Sequence, residues 1–227
     1  MKKTIVLLLS ILFVIGVCSC DMRGQKKVDR MVEYINNKYT DDKFEYEKMT
    51  GGYLGSNVTK IIVSSEKYPE KDIYVICTQV DDEEKFTDTY LNVKFEIETE
   101  GYIKNSLNDV FGDSLIWFSY SAADIAGEDK GSSLTTFMEY LANENTYISF
   151  SALIDDAHDD EVIAQKLQNV FADAVISGHL YFVNNCENNV DYAKAQEYMQ
   201  SGTYDRKLYF SKQNISDTFS IEWTDGI

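Results

Sequence analysis

From Val28 to Trp223 the spacing of apolar residues switches repeatedly between the helical period and the strand period. A chain of that kind must bury striped helices against one-sided strands, so helices packed on sheets are the expected outcome. Val28, Met31, Val32, Ile35 and Tyr39 recur at helical spacing and predict an amphipathic helix over 28–39. Three strand-like runs follow, Lys43 to Met49, Val58 to Ser64 and Asp72 to Val80. They are separated by Gly51, Gly52 and Gly55 and then by Pro69, which predicts a small meander.

Residues 88–111 carry two signals. Leu91 to Glu98 alternates strictly, as a strand would, whereas Tyr102, Ile103, Leu107, Val110 and Phe111 have helical spacing. We expect a helix from about residue 99, preceded by a strand or an earlier helical turn, ended by Gly112 and followed by a strand over 115–120. The stretch 122–132, with Gly127, Gly131 and Ser132 amid charges, reads as a linker. Beyond it the pattern predicts helix 133–142, strand 146–154, helix 159–175, strand 179–184, helix 190–201 and strands 206–211 and 217–223. The fold class is therefore α/β or α+β: mixed sheets with helices packed on them, divided into two small halves, 28–121 and 133–227. Glu33-Tyr34-Ile35-Asn36-Asn37 and Glu139-Tyr140-Leu141-Ala142-Asn143 match at an offset of 106 residues, which Trp117 and Trp223 share. That hints at an internal duplication.

The N-terminus follows a different logic. Met1-Lys2-Lys3 is positively charged, and Thr4 to Val17 is almost purely apolar but shorter than a spanning helix requires. Val17-Cys18-Ser19-Cys20 comes next and resembles the lipobox of bacterial envelope lipoproteins, with Cys20 in the acceptor position. The small residue before the cut admits the membrane peptidase, and the thiol takes the diacylglycerol. Cys18 has poorer flanks, because branched Val17 precedes it. The resemblance implies removal of residues 1–19, lipidation of Cys20, and a mature chain held by its acylated N-terminus on the outer, extracytoplasmic face of a membrane. Arg23, Lys26 and Lys27 would then form a short basic tether, 20–27, beside the headgroups.

Charge narrows the partners. Of 227 residues, 38 are acidic and 21 basic; removing Lys2 and Lys3 with the signal leaves 19 basic against 38 acidic. Such a body is repelled by nucleic acid and by anionic lipid. Only Arg30 and Arg206 remain after the tether, too few for a phosphate-reading surface. With 44% apolar residues and one proline, the chain has the composition of a folded protein. Its 16 Tyr and 12 Phe are expected mainly in the core and on strands, with a sugar-stacking or partner-binding surface as the functional alternative.

Cys77 and Cys186 are the two cysteines left besides Cys20. Outside the cytoplasm they could pair, with a stabilisation of roughly 4 to 5 kcal/mol in the chain-entropy model. Cys77 nonetheless lies in the apolar run Ile73 to Cys77, where a buried free thiol is equally natural.

No catalytic constellation emerges. Asp155-Asp156-Ala157-His158-Asp159-Asp160-Glu161 places carboxylates beside one of two histidines and could hold a divalent cation, but it lacks EF-hand spacing, and acids at a helix start also serve as caps. Asp81-Asp82-Glu83-Glu84 reads as a solvated turn, Gly51 to Ser56 as a hairpin turn, and Asn184 to Asn189 as a loop. Ser64-Ser65-Glu66-Lys67 matches the S-x-x-K nucleophile pattern without its companion motifs. His179 reads as a strand-edge residue. The expected function is a non-enzymatic binding or interaction module, without cofactor, meeting an envelope protein or glycan. The alternatives are a glycan or peptide hydrolase with paired carboxylates and a cation-binding protein using residues 155–161.

Overall fold

The computed structural model describes residues 24–52, 57–81, 83–124, 136–155, 160–184, 190–202 and 204–225. They form an α+β protein of two compact units, each with its own sheet. Among the described residues no helix is long and apolar enough to cross a membrane.

The first unit begins with helix α1 over 24–38, so residues 24–27, assigned to a tether by the sequence, are helical. An antiparallel meander follows: β1 (Phe44–Gly51), β2 (Val58–Ser65), β3 (Ile73–Val80) and β4 (Glu83–Asp88), in that spatial order. Val28, Met31 and Ile35 of α1 are buried together with Ile61, Val63, Ile73, Val75 and Cys77 of the sheet. Tyr34 stacks on Phe86 at 5.3 Å, and Arg30 grips Glu84 with two hydrogen bonds of 2.6 and 2.8 Å. Glu84 is thus part of a paired strand, and that bidentate bond holds its carboxyl below the usual carboxylate range. Of the solvated turn expected over 81–84, Asp81 turns at φ 48° and Glu83 and Glu84 belong to β4, while Asp82 lies outside the described residues.

Helix α2 (Tyr90–Lys94) leads out of this unit, and α3 (Glu96–Phe111) opens the second. The strand suggested by Leu91 to Glu98 is helical, broken only at Phe95. Its alternation misled because Tyr90, Leu91 and Phe95 also share a helix face and are buried, while Ile97 is 83% exposed.

A 3₁₀ turn (Gly112–Ser114) precedes β5 (Leu115–Asp124). Then come α4 (Phe137–Leu141), β6 (Thr146–Asp155), α5 (Asp160–Val170), β7 (Ile176–Val183), α6 (Tyr192–Gln200), β8 (Arg206–Ser211) and β9 (Ser220–Asp225). The five strands lie in sequence order, and only β6 and β7 run parallel, joined by α5. Strand β5 belongs to this second sheet, so the chain divides at Val93/Lys94 rather than after residue 121. Residues 122–124 of the expected linker are the last rungs of β5, paired with β6; the rest of it lies outside the described residues.

One face of the second sheet is the core. Phe150, Leu180, Phe182, Leu208 and Phe210 are buried there, and α3 packs against β5 and α5. Tyr120 donates to the Glu96 carbonyl at 2.8 Å and Tyr102 to that of Val170 at 2.9 Å; burial first pushes both phenols up to about 12. Gly178 stands in register between Phe150 and Phe210, and a Cβ on it would come within 2.4 and 2.6 Å of those rings. The two sheets differ in strand number and direction, and Trp117 and Trp223 take unlike places: Trp117 meets Tyr192 of α6, Trp223 meets Phe182 in the core. The common offset of 106 residues therefore has no counterpart in topology.

Candidate functional site

The opposite face of the second sheet holds the candidate site. Cross-strand partners point to the same side of a sheet, so the register alone assembles its rows. Ser121 of β5 is opposite Ser149 of β6, Ser149 opposite Ser177 of β7, Ser177 opposite Ser211 of β8, and Ser211 opposite Ser220 of β9. A serine thus stands on every strand at one level. With strands about 4.8 Å apart, the row repeats a hydroxyl at that interval. The next level reads Ser119, Ser151, His179, Tyr209 and Glu222 across the same strands, and the one beyond it Leu153, Tyr181, Lys207 and Thr224 on β6 to β9.

Local contacts fix the aromatic groups. Ser177 donates to the Tyr147 phenol oxygen at 3.0 Å, holding a ring that is 49% exposed. The Ser121 and Ser149 hydroxyls are 2.9 Å apart. His179 packs on Tyr209 at 4.7 Å between ring centres, Tyr181 meets Tyr204 edge-on at 5.2 Å, and Lys207 Nζ lies 5.0 Å over the Tyr181 ring. Burial, with Lys207 adding to it, pushes His179 below the ordinary imidazole range. Among the described residues its Nδ1 is buried without a hydrogen-bond partner.

Two hollows open on this face. One, of about 420 Å³, is lined by Tyr147, His179, Tyr204, Lys207, Tyr209, Glu222 and Thr224. The other, of about 430 Å³, lies among Glu144, Asn145, Ser177, Ser211, Lys212 and Asn214. Tyr147 and Tyr209 belong to both and form the ridge between them. Both volumes lie in the range of small-ligand sites. Lys212 is largely spoken for, since its Nζ donates to the Ala172 carbonyl at 2.5 Å and lies over the Phe219 ring.

His179 is accordingly not an edge residue. It sits on the middle strand of five, between β6 and β8. Sequence reading missed it and the serine row alike, because the row joins positions on separate strands and register between them is not written in any local pattern.

The other candidates fall elsewhere. Cys20 lies outside the described residues, as does Cys186. Cys77 is a buried cysteine on β3, free among the described residues, and burial pushes its thiol up. Of the cluster at 155–161, residues 156–159, with His158, lie outside the described residues; Asp160 is ion-paired with Arg206. Among the described residues no group of three His, Cys, Asp or Glu side chains could hold a metal ion. Lys67 pairs with Asp41 at 2.6 Å while the Ser64 hydroxyl donates to the Glu45 carbonyl, so the S-x-x-K match brings no base to its serine. Gly52 turns at φ 83°, where a Cβ would meet the Val58 carbonyl at 1.9 Å, and leads β1 towards β2 as a hairpin glycine. Residues 53–56 lie outside the described residues.

No protein-family model matches the chain, and no curated protein does. Among solved structures it is similar to the crystal structure of a DUF5037 family protein from Ruminococcus gnavus, at 12% identity and a TM-score of 0.42. The match covers 84% of this chain and 92% of that one.

Proposed function

We propose that the chain is a membrane-anchored envelope lipoprotein whose body is a non-catalytic binding module. The anchor rests on Val17-Cys18-Ser19-Cys20 behind its apolar run. The binding role rests on one observation: ordered tyrosines, serines and an imidazole gathered around two hollows. A hydrolase with paired carboxylates needs two acids roughly 5 to 10 Å apart. Among the described residues each hollow is lined by one acid, Glu222 in the one around His179 and Glu144 in the other.

The intact mass of the membrane-extracted protein tests the anchor. A mass equal to residues 20–227 plus a di- or triacyl group is expected, and Cys20→Ala should release the protein from the membrane fraction. An unmodified mass beginning at another residue would remove the lipoprotein reading. Crosslinking in intact cells tests the module, and failure to capture any reproducible protein or glycan partner counts against it.

A further inference from the structure

Resting on that reading, we propose that the open face of the second sheet binds a neutral, elongated oligosaccharide, with Tyr147 and Tyr209 as the stacking ridge between two sugar subsites. Three features carry the assignment. Charge is the first. The chain has a net charge of −17, yet the two hollows are lined by two acids, Glu144 and Glu222, and two bases, Lys207 and Lys212. An acidic glycan or a phosphate needs a cluster of cations, and here Lys212 is turned to a backbone carbonyl. Arg206, the one arginine of this unit, lies over Phe182 and Trp223 and pairs with Asp160.

Chemistry is the second. Serine hydroxyls both donate and accept, as sugar hydroxyls do, and Ser211 lines one hollow while Ser177 orders the Tyr147 phenol, with no charge imposed by either. Third, the phenol of Tyr147 is tied to Ser177 and the ring of Tyr209 packs on His179, so both aromatic platforms are ordered before a ligand arrives.

The test is calorimetric titration of the detergent-extracted full-length protein with the neutral tetrasaccharides of β1,4-glucose, β1,4-N-acetylglucosamine and α1,4-glucose, and with the matching disaccharides. At least one tetrasaccharide should bind, more tightly than its disaccharide. Tyr147→Ala should weaken it by about tenfold or more, whereas Tyr147→Phe, which keeps the ring, should retain most of the affinity. Tyr46→Ala, an exposed tyrosine of the first unit, should change nothing. Absence of binding by the folded protein at about 10 mM of every probe would overturn the inference, as would equal losses in Tyr147→Ala and Tyr46→Ala. A protein partner crosslinked through Tyr147 or Tyr209 without glycan binding would also overturn it, yet leave the binding-module reading standing. A mass without lipid on a preparation that binds sugar would do the reverse, removing the anchor and supporting the site.

Discussion

The imidazole of His179 lies against the ring of Tyr209 on the neighbouring strand, 4.7 Å between centres, with Nδ1 buried and unpartnered. Lys207, Glu222, Tyr204 and Tyr147 line the same hollow, and Tyr181 is its neighbour along β7. Burial lowers the folded pKa below the unfolded value near 6.5. The sign follows directly: the ring's contribution is intact above about 6.5 and is lost as pH falls through the folded value, because the unfolded chain takes up the proton first. Denaturant titrations between pH 7.5 and 5 should therefore show a shallower acid-side loss for His179→Gln than for the native chain. Parallel slopes for the two proteins would refute it.

Gly178 has no left-handed backbone to explain it. It is glycine because Phe150 and Phe210 close over it from the flanking strands, with Phe171 completing the trio at 5.5 and 5.6 Å. Gly178→Ala should destabilise the protein by about 1 to 3 kcal/mol through overpacking, read as a lower denaturant midpoint. A gain in stability would show that the rings move aside freely.

In the first unit the Asp88 carboxylate receives Lys38 Nζ at 2.7 Å, Tyr34 and Tyr39 hydroxyls at 3.1 Å, and the Tyr90 backbone N–H at 3.0 Å. The two charged side chains are only 8% and 1% exposed. Removing one partner strands the other, so Asp88→Ala and Lys38→Met should each cost about 3 to 5 kcal/mol. The double replacement should cost clearly less than the two together. Additive losses in a double-mutant cycle would mean the pair is not coupled.

Cys77 faces the core of the first unit as a thiol. A maleimide reagent should label it only after denaturation, because both burial and the raised pKa suppress the thiolate. Rapid labelling of the folded chain would contradict this. A two-dalton mass gain on reduction would instead reveal the Cys77–Cys186 bridge.

What the sequence made legible was burial on two sides. Ile61 to Val63 and Ile73 to Cys77 are apolar enough to declare strands, and the helical stripes of α1, α3 and α5 emerge within a few residues of their observed limits. β4 stayed hidden because Glu83, Glu84 and Lys85 suit a sheet edge, where polar residues are tolerated on both sides. The boundary at Val93/Lys94 was hidden too. It falls in the last turn of α2 with no glycine or proline to mark it, while the glycines that drew the eye lie beyond β5. The site was the least legible of all. Ser121, Ser149, Ser177, Ser211 and Ser220 are each unremarked in their own strands, and only hydrogen-bonded pairing lines them up.

Helix α1 is already formed at residue 24. With acyl chains on Cys20, only four residues of reach, no more than about 14 Å even if fully drawn out, would lie between the lipid and the first turn. Such a protein has no stalk. Its first unit would be held within that reach of the headgroups, as a body moored directly to the bilayer.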